Sequence, residues 1–234
     1  MKRERVVMIS GGNRGIGKGI AQALYHNGWR LALGMRKPAL PDWASAEDVD
    51  VDVHAYDAST GADEQTWVQA TMMRFGRIDA VIANAGIMIA KNVVEAVDVD
   101  LDAMLEVNVK APRRLAKAAW TALGQSGRGR VIIVSSLSGK RVKSANSGLY
   151  AISKFGSVAL AHALRHHGWN VGIRVTALCP GFVATDMGTN LSLRDPAQMT
   201  SPADLGQVVI TLLNLPNEAS VAELTINCQI EESY

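Results

Sequence analysis

The chain has 234 residues, 48% hydrophobic and 20% charged, and a formal net charge of +2. That length is enough for one globular domain with its own core, and the charge is too small to mark nucleic acid or an anionic membrane as a partner. No apolar stretch approaches a membrane span, and Cys179 and Cys228 form neither a C-x-x-C nor a zinc spacing, so a reducing, cytoplasmic setting is expected.

Short apolar runs alternate with amphipathic ones along the chain. Strands are expected at 5–10, 29–35, 51–56, 78–83, 130–136, 172–179 and 222–228, the most apolar of them nearly continuous, as when helices cover both faces of a parallel sheet. Between them, 15–27, 61–75, 98–124, 148–167 and 202–214 read as helices. Gly28 and Gly168 stand just past two helix ends, where a left-handed cap costs glycine little. The alternation predicts an α/β, Rossmann-type, doubly wound parallel sheet of about seven strands with helices on both faces, forming one domain over 1–234. Its substrate site is expected in the C-terminal loops. The longest loop-like stretches are 37–50 and 186–201.

Ligands of such sheets bind beyond the carboxyl ends of the strands, where the strand order reverses. The turn after the first strand reads SGGNRGIG, with glycines at 11, 15 and 17. Small residues there admit a pyrophosphate, and the following helix N-terminus favours negative charge. A plain strand-to-helix turn would read similarly. Further on, LYAISKFG places Tyr150 and Lys154 four apart at a helix start, so both project from one face. A lysine ammonium beside a tyrosine should lower its pKa from about 10 toward neutrality and fit it for acid–base work. One such pair alone fits a solvated helix face equally well.

Taken together and in order, these residues resemble the short-chain dehydrogenase/reductases, in the standard-length NAD(P)-dependent branch, over roughly residues 5–190. SGGNRGIG is similar to the family's T-G-x-x-x-G-x-G, with Ser10 for threonine. ANAG (83–86) resembles the N-A-G element beside the adenosine, and PGFVAT (180–185) the P-G element that closes over the nicotinamide. Asn108, Ser136, Tyr150 and Lys154 match the family's catalytic set. The resemblance implies that hydride passes between the nicotinamide and a carbonyl carbon while Tyr150 donates a proton. Ser136 would orient the oxygen, Lys154 would hold the ribose and lower the tyrosine pKa, and Asn108 would bend a long helix and link Lys154 to solvent through water. It also implies cofactor contacts from Gly11, Asn13, Arg14, Gly15, Ile16, Gly17, Arg36, Asp57, Ala58, Asn84, Ala85, Gly86, Tyr150, Lys154, Pro180, Gly181, Val183 and Thr185. No metal is implied.

Two features depart from the family pattern. The spacing from Ser136 to Tyr150 is one residue longer than usual, which leaves Ser138 as a rival for the carbonyl hydrogen bond. The chain also reads LTINCQIEESY where the family often has a V-D-G-G-like segment, so the pocket wall there does not transfer.

NAD-specific relatives place an acid after the second strand to bond the ribose hydroxyls. Here GMRKP offers Arg36 and Lys37, and Arg14 stands in the glycine turn, a cationic set suited to the 2′-phosphate of NADPH. Asp57 reads either as the adenine-side aspartate or as a helix N-cap, a task Ser59 or Thr60 could also take.

The expected activity is NADPH-dependent reduction of a ketone or 3-oxoacyl-type carbonyl. An oxidative alcohol or hydroxy-acid dehydrogenase, or a noncatalytic NADPH-binding regulator, are the alternatives. Met88, Ser138 and Phe182 are expected to touch the substrate, in a pocket also faced by Ile87, Ile89, Leu137 and Met187. Lys140, Arg141 and Lys143 form a loop that would attract an acidic substrate or simply solvate. Three histidines near the end of the 148–167 helix complement its dipole, and no carboxylate shares ligand spacing with them. The alanine-rich stretches 111–122 and 159–163 resemble the family's dimer-building helices, so a homodimer or homotetramer is expected.

Overall fold

A computed structural model describes residues 4–45 and 47–230. The described residues form a seven-stranded sheet with every neighbouring pair parallel. In chain order the elements are β1 (Val6–Ser10), α1 (Gly15–His26), β2 (Arg30–Met35), β3 (Val51–Ala55), α2 (Glu64–Phe75), β4 (Ala80–Ala83), α3 (Asp98–Leu105), α4 (Ala111–Gln125), β5 (Arg130–Val134), α5 (Gly148–Gly168), β6 (Arg174–Pro180), α6 (Asp186–Asn190), α7 (Pro202–Asn214) and β7 (Glu223–Ile226). The strand order is β3-β2-β1-β4-β5-β6-β7, so the order of winding reverses between β1 and β4 while the strands stay parallel. The crevice above that reversal is where such sheets take ligands.

Central strands are apolar throughout because both faces are covered. Val6 and Met8 of β1 point into one layer with Trp67 of α2, Leu115 of α4 and Val158 of α5. Val7 and Ile9 point into the opposite layer with Ile20 and Leu24 of α1 and Val209 and Leu212 of α7. The same alternation runs through β4, where Val81 joins the first layer and Ile82 the second. All five residues of β1 and all five of β5 are buried.

At the amino ends of the strands, arginines close the sheet. The last carbonyls of α7 accept from them: Arg128 reaches Asn214 O and, at 2.7 Å, Leu215 O, while Arg130 reaches Leu215 O at 2.6 Å. Arg174 bonds Trp169 O just past α5 at 2.9 Å and stacks on the Trp169 ring at 3.8 Å. Cations at helix C-termini satisfy orphan carbonyls and complement the dipole. Burial, then the neighbouring Arg128, Arg174 and Arg5, press the pKa of Arg130 down to about 10.

The structure refines one expectation and corrects two. The long helix expected at 98–124, bent at Asn108, is α3 and α4 joined by one wide π turn, Glu106–Lys110, with Asn108 at its centre. Gly168 is no left-handed cap: it keeps helical backbone at φ −83°, and a Cβ there would meet Ile173 at 2.9 Å. The left-handed residue is Gly172 at φ +76°, after one further tight turn. Strand β5 ends at Val134, which leaves Ser135 and Ser136 beyond the sheet. Among the described residues no helix is long and apolar enough to cross a membrane.

Candidate active site

The glycine turn sits at the reversal point. Gly11 and Gly15 have φ of +69° and +53°, which only glycine adopts cheaply. At Gly17 a Cβ would lie 2.1 Å from Gly11 O, so α1 can start this close to β1 only without a side chain. Among the described residues no side chain caps α1, so its first amides remain available to an anion. The turn is fastened from β4: Ser10 Oγ accepts from the amides of Asn84 and Ala85, both at 3.0 Å. Asn84 Nδ2 donates back to Ser10 O and Gly11 O at 3.0 and 3.3 Å. Asn13 and Arg14 are exposed, whereas Ile16 packs partly onto the α1–α7 layer. A bare-backbone cradle with uncapped amides and an arginine at its rim fits a pyrophosphate.

Arg36 and Lys37 are exposed just past β2. Asp57 is held below the usual carboxylate range, first by the Ser59 amide, then by the Ser59 hydroxyl, with Arg36 adding attraction. Asp57 does not cap α2; that position belongs to Asp63. Ala58 is buried, and its carbonyl accepts from Arg114 at 3.3 Å. The loop after Lys37 folds back on α1 through Lys18–Asp42 at 2.9 Å and a Tyr25–Trp43 ring contact at 5.1 Å. Arg14 does not stand with Arg36 as a bare pair of cations: it meets Asp186 of α6 at 3.5 Å, both side chains largely exposed.

Beyond β5 lies the acid–base cluster. Ser136 caps a tight turn (137–139), its Oγ accepting from Ser138 N at 3.1 Å, and also bonds the Tyr150 hydroxyl. Ser135 turns inward instead, to Ser157 Oγ at 2.7 Å and Lys154 O at 3.1 Å. Lys154 is 4% exposed; its Nζ donates to Val134 O at 3.1 Å and stands 5.6 Å from the Tyr150 ring centroid. Asn108, held inward by the π turn, donates to Ile87 O and Ser153 Oγ, both at 2.9 Å, and accepts from Ile87 N at 3.0 Å. Gly86 lies between Asn108 and Lys154, its Cβ position 3.2 Å from Asn108 Oδ1 and 3.6 Å from Lys154 Nζ.

The electrostatics run against the sequence expectation for tyrosine. Burial pushes Tyr150 up to about 12, opposed by the Ser136 hydrogen bond. Burial likewise brings Lys154 down to about 8, with the nearby Cys179 opposing. Desolvation disfavours the charged form of each group.

On the substrate side, Ile87, Met88 and Ile89 pack beside Tyr150 and Leu149. Phe182 is half-buried, with Lys143 Nζ 5.5 Å from its ring. Pro180 ends β6, and Gly181 N donates to Ile226 O at 2.8 Å. Val183 bridges to Thr200, and Thr185 caps α6 through Gly188 N at 3.1 Å. Thr185 also lies against the glycine turn, 3.2 Å from the Cβ position of Gly15. Met187 is exposed.

Two residues of this region carry no signal in the sequence. Glu223 of β7 pairs with both Lys140 and His162, so Lys140 is not simply a solvated loop cation, and a carboxylate does stand beside a histidine of α5. The partners are 83 and 61 residues apart. Asn227 packs against Gly181, and among the described residues neither of its buried amide atoms has a hydrogen-bond partner. Among the described residues no three His, Cys, Asp or Glu side chains converge as a metal site requires.

A family model described as short chain dehydrogenase matches residues 5–195. An agropine synthesis reductase of Rhizobium rhizogenes is 34% identical over 233 residues, 98% of this chain but 54% of the relative. The chain thus spans about half the length of that relative. An uncharacterized oxidoreductase of Staphylococcus aureus is 27% identical, with 95% of this chain and 96% of that protein covered. Among solved structures, an alcohol dehydrogenase from the archaeon Thermococcus sibiricus complexed with 5-hydroxy-NADP superposes with a TM-score of 0.83 at 28% identity, covering 97% of this chain and 99% of its own. A short chain dehydrogenase from Burkholderia cenocepacia in complex with NADP gives 0.83 at 26% identity, with 97% of each chain covered.

Proposed function

This chain belongs to the short-chain dehydrogenase family, and from that premise we propose that it is an NAD(P)-dependent oxidoreductase that reduces a carbonyl to an alcohol with NADPH, Tyr150 acting as general acid. The placement of Tyr150 carries the reading. Its hydroxyl bonds Ser136 and the buried Lys154 ammonium stands 5.6 Å from its ring, so a proton donor, an orienting hydroxyl and a cation converge at the carboxyl end of β5.

When bound, the nicotinamide cofactor supplies the hydride. Its phosphates belong at the glycine turn formed by Gly11, Asn13, Arg14, Gly15, Ile16 and Gly17. Asp57, Ala58, Asn84, Ala85 and Gly86 would hold its adenosine, and Pro180, Gly181, Val183 and Thr185 its nicotinamide. Ser136 orients the carbonyl oxygen toward the Tyr150 hydroxyl. Tyr150 gives that oxygen its proton, and the Lys154 ammonium stabilises the phenolate that remains. Lys154, with a pKa of about 8, then returns a proton at neutral pH. Asn108 fixes the floor of the site through Ile87 and Ser153. Met88, Ser138 and Phe182 form the substrate wall.

NADPH is preferred over NADH because Arg36 and Lys37 follow β2 with no carboxylate among them. The similarity to a reductase and to structural neighbours in complex with NADP supports this reading. The whole chain then serves as one NAD(P)-binding domain. It works as a homodimer or homotetramer through α4 and α5, where Ile152 and Phe155 stand 47% and 45% exposed. Its cytoplasmic setting suits two free cysteines.

The test is NADPH oxidation against acetoacetyl thioesters, β-keto esters, diketones, aromatic ketones and quinones, with Tyr150→Phe alongside. Loss of a general acid should cost roughly 10²–10⁴-fold in turnover while leaving NADPH binding intact. Undiminished turnover in the Tyr150→Phe protein overturns the assignment.

A further inference from the structure

Glu223 meets a lysine and a histidine with one carboxylate. Lys140 bonds its Oε2, and His162 Nε2 lies 2.6 Å from its Oε1. The carboxylate is about a quarter exposed, at 28%, so the pairs are only partly screened by solvent.

The three residues belong to three different parts of the site. Lys140 directly follows the turn that Ser136 caps, and its amide donates to Leu137 O at 2.9 Å. His162 lies on α5, the helix that carries Tyr150 and Lys154. Glu223 opens β7, in register with Ala177 of β6. The serine turn is already pressed against α5, since a Cβ at Gly139 would meet Lys154 O at 2.7 Å and Ser135 Oγ at 2.8 Å. Past Lys140 the loop runs outward, and residues 142–146 are exposed. The Lys140 side chain ties the exit of the turn to Glu223, and thereby to the strand that also meets His162 of α5.

We infer that Glu223 is a positioning residue: by holding Lys140 and His162 on one carboxylate, it fixes the turn bearing Ser136 against the helix bearing Tyr150 and Lys154. This rests on the carbonyl-reductase reading above. Ser136 and Tyr150 must share one oxygen, and a misplacement of about 1 Å at such a site costs up to about 100-fold.

The experiment compares Glu223→Gln, Lys140→Met and the charge swap Lys140→Glu with Glu223→Lys in the full chain, with Tyr150→Phe as control. Steady-state kinetics on the best ketone are read with NADPH affinity and hydrogen exchange of the 138–141 amides. Both single variants should lower kcat about 10- to 100-fold with NADPH affinity within about twofold, and exchange at 138–141 should accelerate at least tenfold. The swap should recover most of kcat. If Glu223→Gln and Lys140→Met keep kcat and leave exchange unchanged while Tyr150→Phe is inactive, the positioning role is wrong and the reductase reading stands. If Glu223→Gln does not fold, Lys140→Met breaks the same contact from the loop side and decides alone. If kcat and NADPH affinity fall together and the swap recovers nothing, Glu223 is a general stability residue and the inference fails. Turnover that survives Tyr150→Phe sinks the reductase reading instead, and the exchange rates still decide whether the tether exists.

Discussion

Replacing Lys154 by methionine should stabilise the protein at neutral pH while removing its turnover. The lysine lies within the core at 4% exposure, and burial brings its pKa from an ordinary 10.5 to about 8. At about 1.4 kcal/mol per tenfold change, holding that proton in the folded state costs about 3 kcal/mol at pH 7. Folded protein binds the proton less tightly than unfolded chain, so stability rises as pH climbs from about 8 toward 10.5, and the cost falls to about 1 kcal/mol by pH 10. Tyr150 acts oppositely but later: with a folded pKa of about 12 against an ordinary 10, it erodes stability only above pH 10. The bond from Nζ to Val134 O is lost as well, a nearly constant offset of about 1 kcal/mol. Urea unfolding of both proteins without nucleotide, at steps from pH 7 to 10, isolates the pH-dependent part. The advantage of Lys154→Met over wild type should shrink by about 2 kcal/mol across that range. A constant difference, or one that grows, would show that Lys154 keeps its ordinary pKa, and the proton-return role would lose its basis.

Gly17→Ala puts a methyl 2.1 Å from Gly11 O, so α1 must shift; a loss of roughly 1–3 kcal/mol and weakened NADPH binding are expected in thermal unfolding and fluorescence titration. Arg36→Asp should weaken NADPH relative to NADH by roughly 10- to 100-fold, the value of a charge-assisted contact; an unchanged ratio of dissociation constants would move the 2′-phosphate contact elsewhere. Asp79 is buried at the amino end of β4, where Val6 N donates to it at 2.8 Å and Arg77 Nη2 at 2.6 Å. Asp79→Leu should therefore cost roughly 1–3 kcal/mol in urea unfolding, because it leaves the Val6 amide unpartnered.

The sheet was legible because burial on both faces writes itself as uninterrupted apolar runs: VVMIS and RVIIV are β1 and β5 with nothing exposed. The glycine turn was legible because positive φ and close backbone approach both demand glycine. Tyr150 and Lys154 were read from their spacing, Ser136 and Asn108 from the resemblance to the family, and the four lie together at the carboxyl ends of the strands. The tyrosine pKa was misjudged, since spacing shows that a lysine is near but not that both groups are stripped of water. Gly168 and Gly172 bracket one turn, and only the path of the chain decides which takes the left-handed conformation. The bend at Asn108 came from the resemblance to the family, whereas the apolar pattern itself stays helical on either side and does not show that the bend is a π turn. Glu223 was invisible for a simpler reason: its partners come from α5 and from a loop, brought together only when β7 docks beside β6.

The phosphate turn is one object built from two distant pieces of chain. Its glycines come from the segment after β1, but Asn84, which pins Ser10 and Gly11, arrives with β4 after two further strands and helices. The cradle is therefore rigid before any nucleotide arrives, and binding spends little free energy on ordering it. It also exists only once β1 and β4 have paired across the point of reversal. Nucleotide affinity in this chain is thus a reporter of the joining of the two halves of the sheet, and a glycine loop transplanted without its asparagine would carry the motif but not the shape.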